Sequence, residues 1–146
     1  MVCPFCNAEE TAVIDSRRNS EGSSVRRRRK CSECQSRFTT YEKSEIDLIV
    51  KKRNGNLEEF QYDKLYKGVE NAFGGQEINQ KQLKNLVDNI YAEIKVKGNK
   101  VDSKTIGETV LRQLKITNEV AYLRFASVYK DFSDVSDFEK EVAEFN

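Results

Sequence analysis

Apolar residues change their spacing once along this chain, near residue 62, and that change predicts its architecture. Beyond it the pattern is helical. Leu65, Val69, Ala72 and Phe73 share one face of a first helix, which Gly74-Gly75 ends. Leu83, Leu86, Val87, Ile90, Tyr91 and Ile94 follow the i, i+3, i+4, i+7 repeat of a second. Gly98-Asn99 closes that helix, and Ser103 is the expected N-cap of a third carrying Ile106, Val110, Leu111 and Leu114. A fourth helix is expected to carry Val120, Phe125, Val128, Tyr129 and Phe132. Ser136-Asp137-Phe138-Glu139 then reads as a capping box opening a short terminal helix.

Before residue 62 the chain reads as extended. Thr11 to Asp15 and Arg37 to Tyr41 are rich in β-branched and aromatic residues, and Asn19 to Ser24 is turn chemistry between them. Ile46 to Arg53 and Asn56 to Tyr62 flank Asn54-Gly55, a pair that predicts a type I′ hairpin with positive φ at both residues. Strands first and helices after give an α+β fold class. The expected domains are 1–45, 46–135 and a C-terminal helix over 136–146.

Composition supports a folded, helix-rich chain rather than a disordered one: 146 residues, one proline, seven glycines, 38% apolar and 34% charged. The net charge of +1 hides an asymmetry, since residues 16–40 alone carry a local +6. For association with a polyanion the local field matters more than the total.

Four cysteines bracket that charge. Cys3-Pro-Phe-Cys6 and Cys31-Ser-Glu-Cys34 are paired knuckles separated by a 24-residue spacer, which suits two strands and a long hairpin loop. Two such knuckles read as one tetrahedral Zn²⁺ site, with all four positions filled by thiolate and none open for catalysis. Iron in a rubredoxin-like all-cysteine site is the chemical alternative. A disulfide framework is disfavoured: no charged-then-apolar leader precedes Cys3, and no apolar stretch approaches the ~20 residues of a membrane span.

The spacer ends in Arg26-Arg27-Arg28-Arg29-Lys30, read here as a loop that grips a polyanion. Arg17, Arg18, Arg26, Arg27, Arg28 and Arg37 are the expected DNA contacts, because guanidinium forks suit phosphates and guanine edges. Arg29 and Lys30 are expected to face outward or pack beside the metal. Further on, Lys51-Lys52-Arg53 and Lys64 cluster near a hairpin and a helix N-terminus, a combination suited to an anion. With no histidine, no phosphate-cradling glycine loop and no nucleophile motif, enzymatic readings find no support in the sequence.

The segments around the two knuckles, Val13-Ile14-Asp15-Ser16-Arg17, Val25 through Cys34 and Arg37-Phe38-Thr39-Thr40-Tyr41-Glu42, resemble the zinc ribbon of the NrdR family. These are bacterial repressors of ribonucleotide reductase genes. The remainder resembles that family's ATP-cone, with an entry motif at Val50-Lys51-Lys52-Arg53-Asn54-Gly55 and a closing motif from Val120 to Tyr129. Two departures stand out: Asn7 and Gln35 follow the knuckles where zinc ribbons often place glycine, and Asn54 replaces a common aspartate.

The resemblance implies a rubredoxin-like zinc ribbon followed by a hairpin with a small helical bundle. It implies that Val50 lies near a base while Lys52, Arg53 and Lys64 meet phosphates. Gly55 is expected to serve the turn, and Tyr122 and Arg124 the packing. It further implies a cytoplasmic bacterial repressor of double-stranded operator boxes, with ATP and dATP as allosteric ligands controlling a homo-oligomer. An accessory subunit that binds an enzyme through its ribbon is the alternative, separable by salt-dependent duplex binding.

Overall fold

The computed structural model describes residues 1–145, and the chain folds as two compact units, Met1–Ile46 and Asp47–Asn146. The first unit is an antiparallel sheet of three strands in the order β1-β2-β3: β1 (Thr11–Arg18), β2 (Ser24–Cys31) and β3 (Arg37–Lys43). The arginine run is therefore not a loop. It is the central strand. The connection is made earlier, where Asn19 accepts at Oδ1 from the Ser24 N–H and donates its own N–H to the Ser24 carbonyl. A run of cations shows no apolar alternation, so its strand character was invisible to a hydrophobic pattern. Pairing on both sides satisfies its backbone, with Arg17, Arg26 and Tyr41 in one cross-strand row and Asp15, Arg28 and Thr39 in another. An irregularity between Val13 and Asp15 leaves Ile14 as an extra residue in β1.

The second unit packs five helices with a second three-stranded sheet. Its strands are β4 (Ile49–Lys51), β5 (Leu57–Glu59) and β6 (Lys100–Asp102), in the order β5-β4-β6. The expected two-residue turn is corrected to three residues. Lys52 bonds Asn56 through its N–H, Gly55 bonds the Lys52 carbonyl, and only Gly55, at φ 85°, is left-handed. Asn54 instead accepts the Asn56 N–H on its side chain, a turn that an aspartate would make equally well. Strand β6, absent from the sequence-based expectation, pairs parallel to β4. Three residues are too few for a hydrophobic period to show.

Helices α1 (Tyr62–Phe73), α2 (Gln80–Val96), α3 (Ser103–Thr117), α4 (Glu119–Tyr129) and α5 (Val135–Ala143) complete this unit. Val69, Leu83, Val87, Ile90, Ile94, Val110 and Leu114 are fully buried among them, as the 3.6-residue spacing requires. Three expectations are corrected. Ser103 is the first residue of α3 rather than its cap, a place taken by Asp102. Asp134, not Ser136, caps α5, accepting the Asp137 N–H and the Ser136 hydroxyl. In α4 the inward seam is Ala121, Tyr122 and Ala126, while Val120 and Val128 face solvent and Phe132 lies past the helix end. Small alanines let α4 approach its neighbours, a signal that large apolar residues mask.

Candidate functional site

The four cysteine sulfurs converge, all lying within 4.8 Å of one another. Cys3 and Cys34 are 3.7 Å apart and Cys6 and Cys31 3.6 Å. Thiolates about 2.3 Å from a tetrahedral zinc sit roughly 3.8 Å from each other, so the donor set fits that ion. Each knuckle is closed by a backbone turn. Asn7 donates to the Cys3 carbonyl, Cys31 donates to the Ser36 carbonyl, and Asn7 and Gln35 sit at φ 61° and 62°. The two positions that depart from the usual glycine are thus the two that need the left-handed conformation. Gln35 offsets some of that strain by donating its side-chain amide to the Ser32 carbonyl at 2.7 Å.

Neighbouring thiols divide the protonation between them. The Ser36 hydroxyl and then its N–H draw Cys34 down to about 6. Cys6 is pushed up to about 12: its Ala8 backbone contact lowers it, but burial and the thiols of Cys34, Cys31 and Cys3 raise it further. Four thiolates this close need a cation between them to ionise together. Cys3, Cys6, Cys31 and Cys34 would hold zinc as a structural pin.

Strand alternation sorts the arginines onto two faces. Arg17, Arg26, Arg28, Lys30 and Arg37 share one, with Tyr41, Thr39 and Asp15. Its only ion pair among the described residues is Arg17 with Asp15 at 3.1 Å. The opposite face carries Arg18, Val25, Arg27, Arg29 and Phe38, and there Arg27 and Arg29 are occupied. Arg27 pairs with Glu42 at 3.1 Å, and Arg29 donates to the hydroxyls of Thr40 and Thr11. Of the six expected DNA contacts, Arg17, Arg26, Arg28 and Arg37 are brought together, while Arg18 and Arg27 lie behind them. Lys30, expected to face outward or pack beside the metal, joins the open face.

In the second unit a cleft of about 230 Å³ is lined by Val50, Glu58, Phe60, Lys64, Ile106 and Phe125, among others. That is below the ~300 Å³ of a typical ligand pocket, room for a flat base rather than a whole nucleotide. Lys52 and Lys64 stand at its rim, 2.7 and 3.2 Å from the Glu58 carboxylate, which they hold below the usual carboxylate range, Lys52 first. Arg53 is not with them. It donates to the Tyr129 carbonyl at 3.1 Å, with its guanidinium 5.1 Å from the Tyr129 ring centre, and lines a separate cleft.

Glu58 escapes a sequence reading because of the hairpin register. A two-residue turn pairs Val50 with Glu59, whereas the observed three-residue turn sets Glu58 opposite Val50, on the cleft side. Tyr122 and Arg124 serve the packing. Tyr122 is buried with its hydroxyl on Glu141, and Arg124 caps the end of α1 by donating to the carbonyls of Phe73 and Gly74.

Known proteins share both units. Residues 1–42 match the N-terminal domain of the transcriptional repressor NrdR-like family, and residues 48–135 match the ATP cone domain. A "Transcriptional repressor NrdR" from Corynebacterium kroppenstedtii is 47% identical over 146 residues, covering 99% of this chain and 96% of that protein. The chain belongs to the NrdR family. Relatives of the same name from Corynebacterium jeikeium and Petrotoga mobilis are 48% and 44% identical. They cover 97% and 99% of this chain, and 86% and 97% of their own lengths. The fold is accordingly a zinc ribbon followed by an ATP-cone, and the family role is that of a repressor with a nucleotide-binding domain. Among the described residues no helix is long and apolar enough to cross a membrane.

Proposed function

We propose that this chain represses ribonucleotide reductase genes by binding double-stranded operator boxes through the open face of its zinc ribbon. One observation carries the reading: four of six candidate arginines and Lys30 lie on a single face of a metal-pinned sheet, with one carboxylate among them. The relatives, all named repressors, favour it over an accessory subunit that docks on an enzyme. A ribbon of about 45 residues offers less than the ~1,000 Å² low end of specific DNA interfaces. Pairing of copies would enlarge that interface, so a homo-oligomer belongs to the proposal.

The cone supplies the control. Val50 and Phe60 would receive the adenine of ATP or dATP, and Lys52 and Lys64 would exchange Glu58 for phosphates. The first turn of α1 adds open N–H groups, since its cap, Gln61, makes no side-chain bond to them. Phosphates are identical in the two nucleotides, so the ribose 2′-hydroxyl or the assembly each supports must distinguish them. A ligand shifts DNA affinity only by binding two states unequally, with typical couplings of about 1–3 kcal/mol. Titration of a promoter duplex from a ribonucleotide reductase gene tests the proposal. Tight, salt-dependent binding that outcompetes unrelated duplex supports it, and equal affinity for unrelated duplex contradicts it.

A further inference from the structure

The cone carries a second concentration of positive charge, on the side of its sheet facing away from the Val50 cleft. Lys51, Lys97 and Lys100 line a depression of about 460 Å³ together with Val101, Asp102 and Thr105. Because successive strand residues point to opposite faces, Lys51 is turned away from the cleft its neighbour Val50 lines. The parallel β4–β6 ladder brings it there, setting Lys51 against Asp102, while Lys97 caps the end of α2 and Lys100 opens β6. Among the described residues none of the three forms an ion pair, even with Asp102 beside Lys51.

Two intramolecular roles explain part of the cluster. Lys97 at the end of α2 complements the helix dipole, and Lys100 on edge strand β6 discourages strand pairing. Neither reaches Lys51, which sits on the central strand. We propose that Lys51, Lys97 and Lys100 form a phosphate-contacting patch through which the cone grips the DNA backbone. This rests on the reading of the ribbon as a DNA binder. The depression has no aromatic ring on which a base could stack and no guanidinium fork, so its three ammonium groups suit backbone phosphates rather than a nucleobase.

The test compares the full-length wild type with Lys51→Gln/Lys97→Gln/Lys100→Gln on a ribonucleotide reductase promoter duplex across a salt series. Nucleotide affinity is followed in parallel with ATP as the probe. The slope of log K against log salt is expected to be shallower by about 2–3 in the variant, at roughly 0.9 per phosphate lost, with ATP affinity unchanged. The triple Lys→Arg variant is expected to keep the wild-type slope. A Gln variant with the wild-type slope overturns the patch while leaving the ribbon as the DNA-binding element. An unchanged slope with weakened ATP binding also overturns it, assigning the lysines to the nucleotide. A wild type that fails to bind the duplex overturns the repressor reading and this inference with it.

Discussion

Arg27 and Arg28 are neighbours in the chain and point to opposite faces of β2, and this alternation makes a sharp test. Arg28→Ala is expected to weaken duplex binding and reduce the salt slope by about 0.9, the loss of one phosphate contact. Arg27→Ala, whose guanidinium already pairs with Glu42, is expected to leave the slope alone. Fluorescence anisotropy of a labelled duplex at several salt concentrations separates the two; equal losses would place the DNA surface elsewhere on the ribbon. In the cone, Lys64→Ala is expected to retain metal and basal DNA binding but lose the response to nucleotide, read by calorimetry with ATP. At this scale much was legible. The convergence of the four cysteines follows from spacing, and the left-handed positions Asn7 and Gln35 follow from what a knuckle turn demands. The sorting of the arginines was not, because it depends on whether the run is strand or loop, and identical side chains carry no period.

Helices were legible as elements because their buried faces repeat over many turns; the short strands were not. Strand β6 has three residues, and the β4–β5 register hangs on whether the Asn-Gly turn takes two residues or three, which neighbouring packing decides. Helix α5 offers a test of its own. Glu141 is buried and accepts both Lys130, at 2.8 and 2.9 Å, and the Tyr122 hydroxyl. Burial alone would raise its pKa, but the bonds from Lys130 and then Tyr122 outweigh that and hold it below the usual glutamate range. A depressed carboxylate stabilises the fold above its ordinary pKa of about 4.3 and loses that contribution as pH falls through the lowered folded value. Glu141→Gln is therefore expected to cost about 1–2 kcal/mol at neutral pH, discounted because Lys130 is partly exposed. The gap from wild type should close in acid, as denaturant midpoints at pH 7 and pH 3 would show. A constant gap would mean the loss is one of packing. Gly107 makes a second element-level test, since a Cβ there would collide with the Tyr129 ring that stacks on Phe125 and carries Arg53. Gly107→Ala is expected to destabilise the cone by about 1–3 kcal/mol in a denaturant titration.

For the whole molecule, two devices share one chain. The ribbon has a thin apolar interior and is expected to depend on its metal, since a thiolate site cannot exist preformed in an unfolded segment. Cys34→Ser, or a strong chelator, is expected to abolish duplex binding while the helical signal of the cone in circular dichroism persists; loss of both together would contradict two independently stable units. The division near Ile46 falls where the cysteine- and cation-rich segment gives way to the Asn54-Gly55 hairpin, with the helical period beginning only near residue 62. What would join the two proposed activities was not legible in the sequence, because on the proposal above coupling lies in assemblies of several copies, and a single chain's pattern does not encode them. The measurement that bears most directly on the central claim is duplex affinity at one fixed salt concentration, with no ligand, ATP, dATP, and ATP with dATP. A repressor that senses nucleotide should bind more tightly with deoxynucleotide present than with ATP alone, by the 5- to 150-fold that couplings of about 1–3 kcal/mol allow. Equal affinity in all four conditions would contradict it, leaving a zinc-dependent DNA-binding protein without a switch.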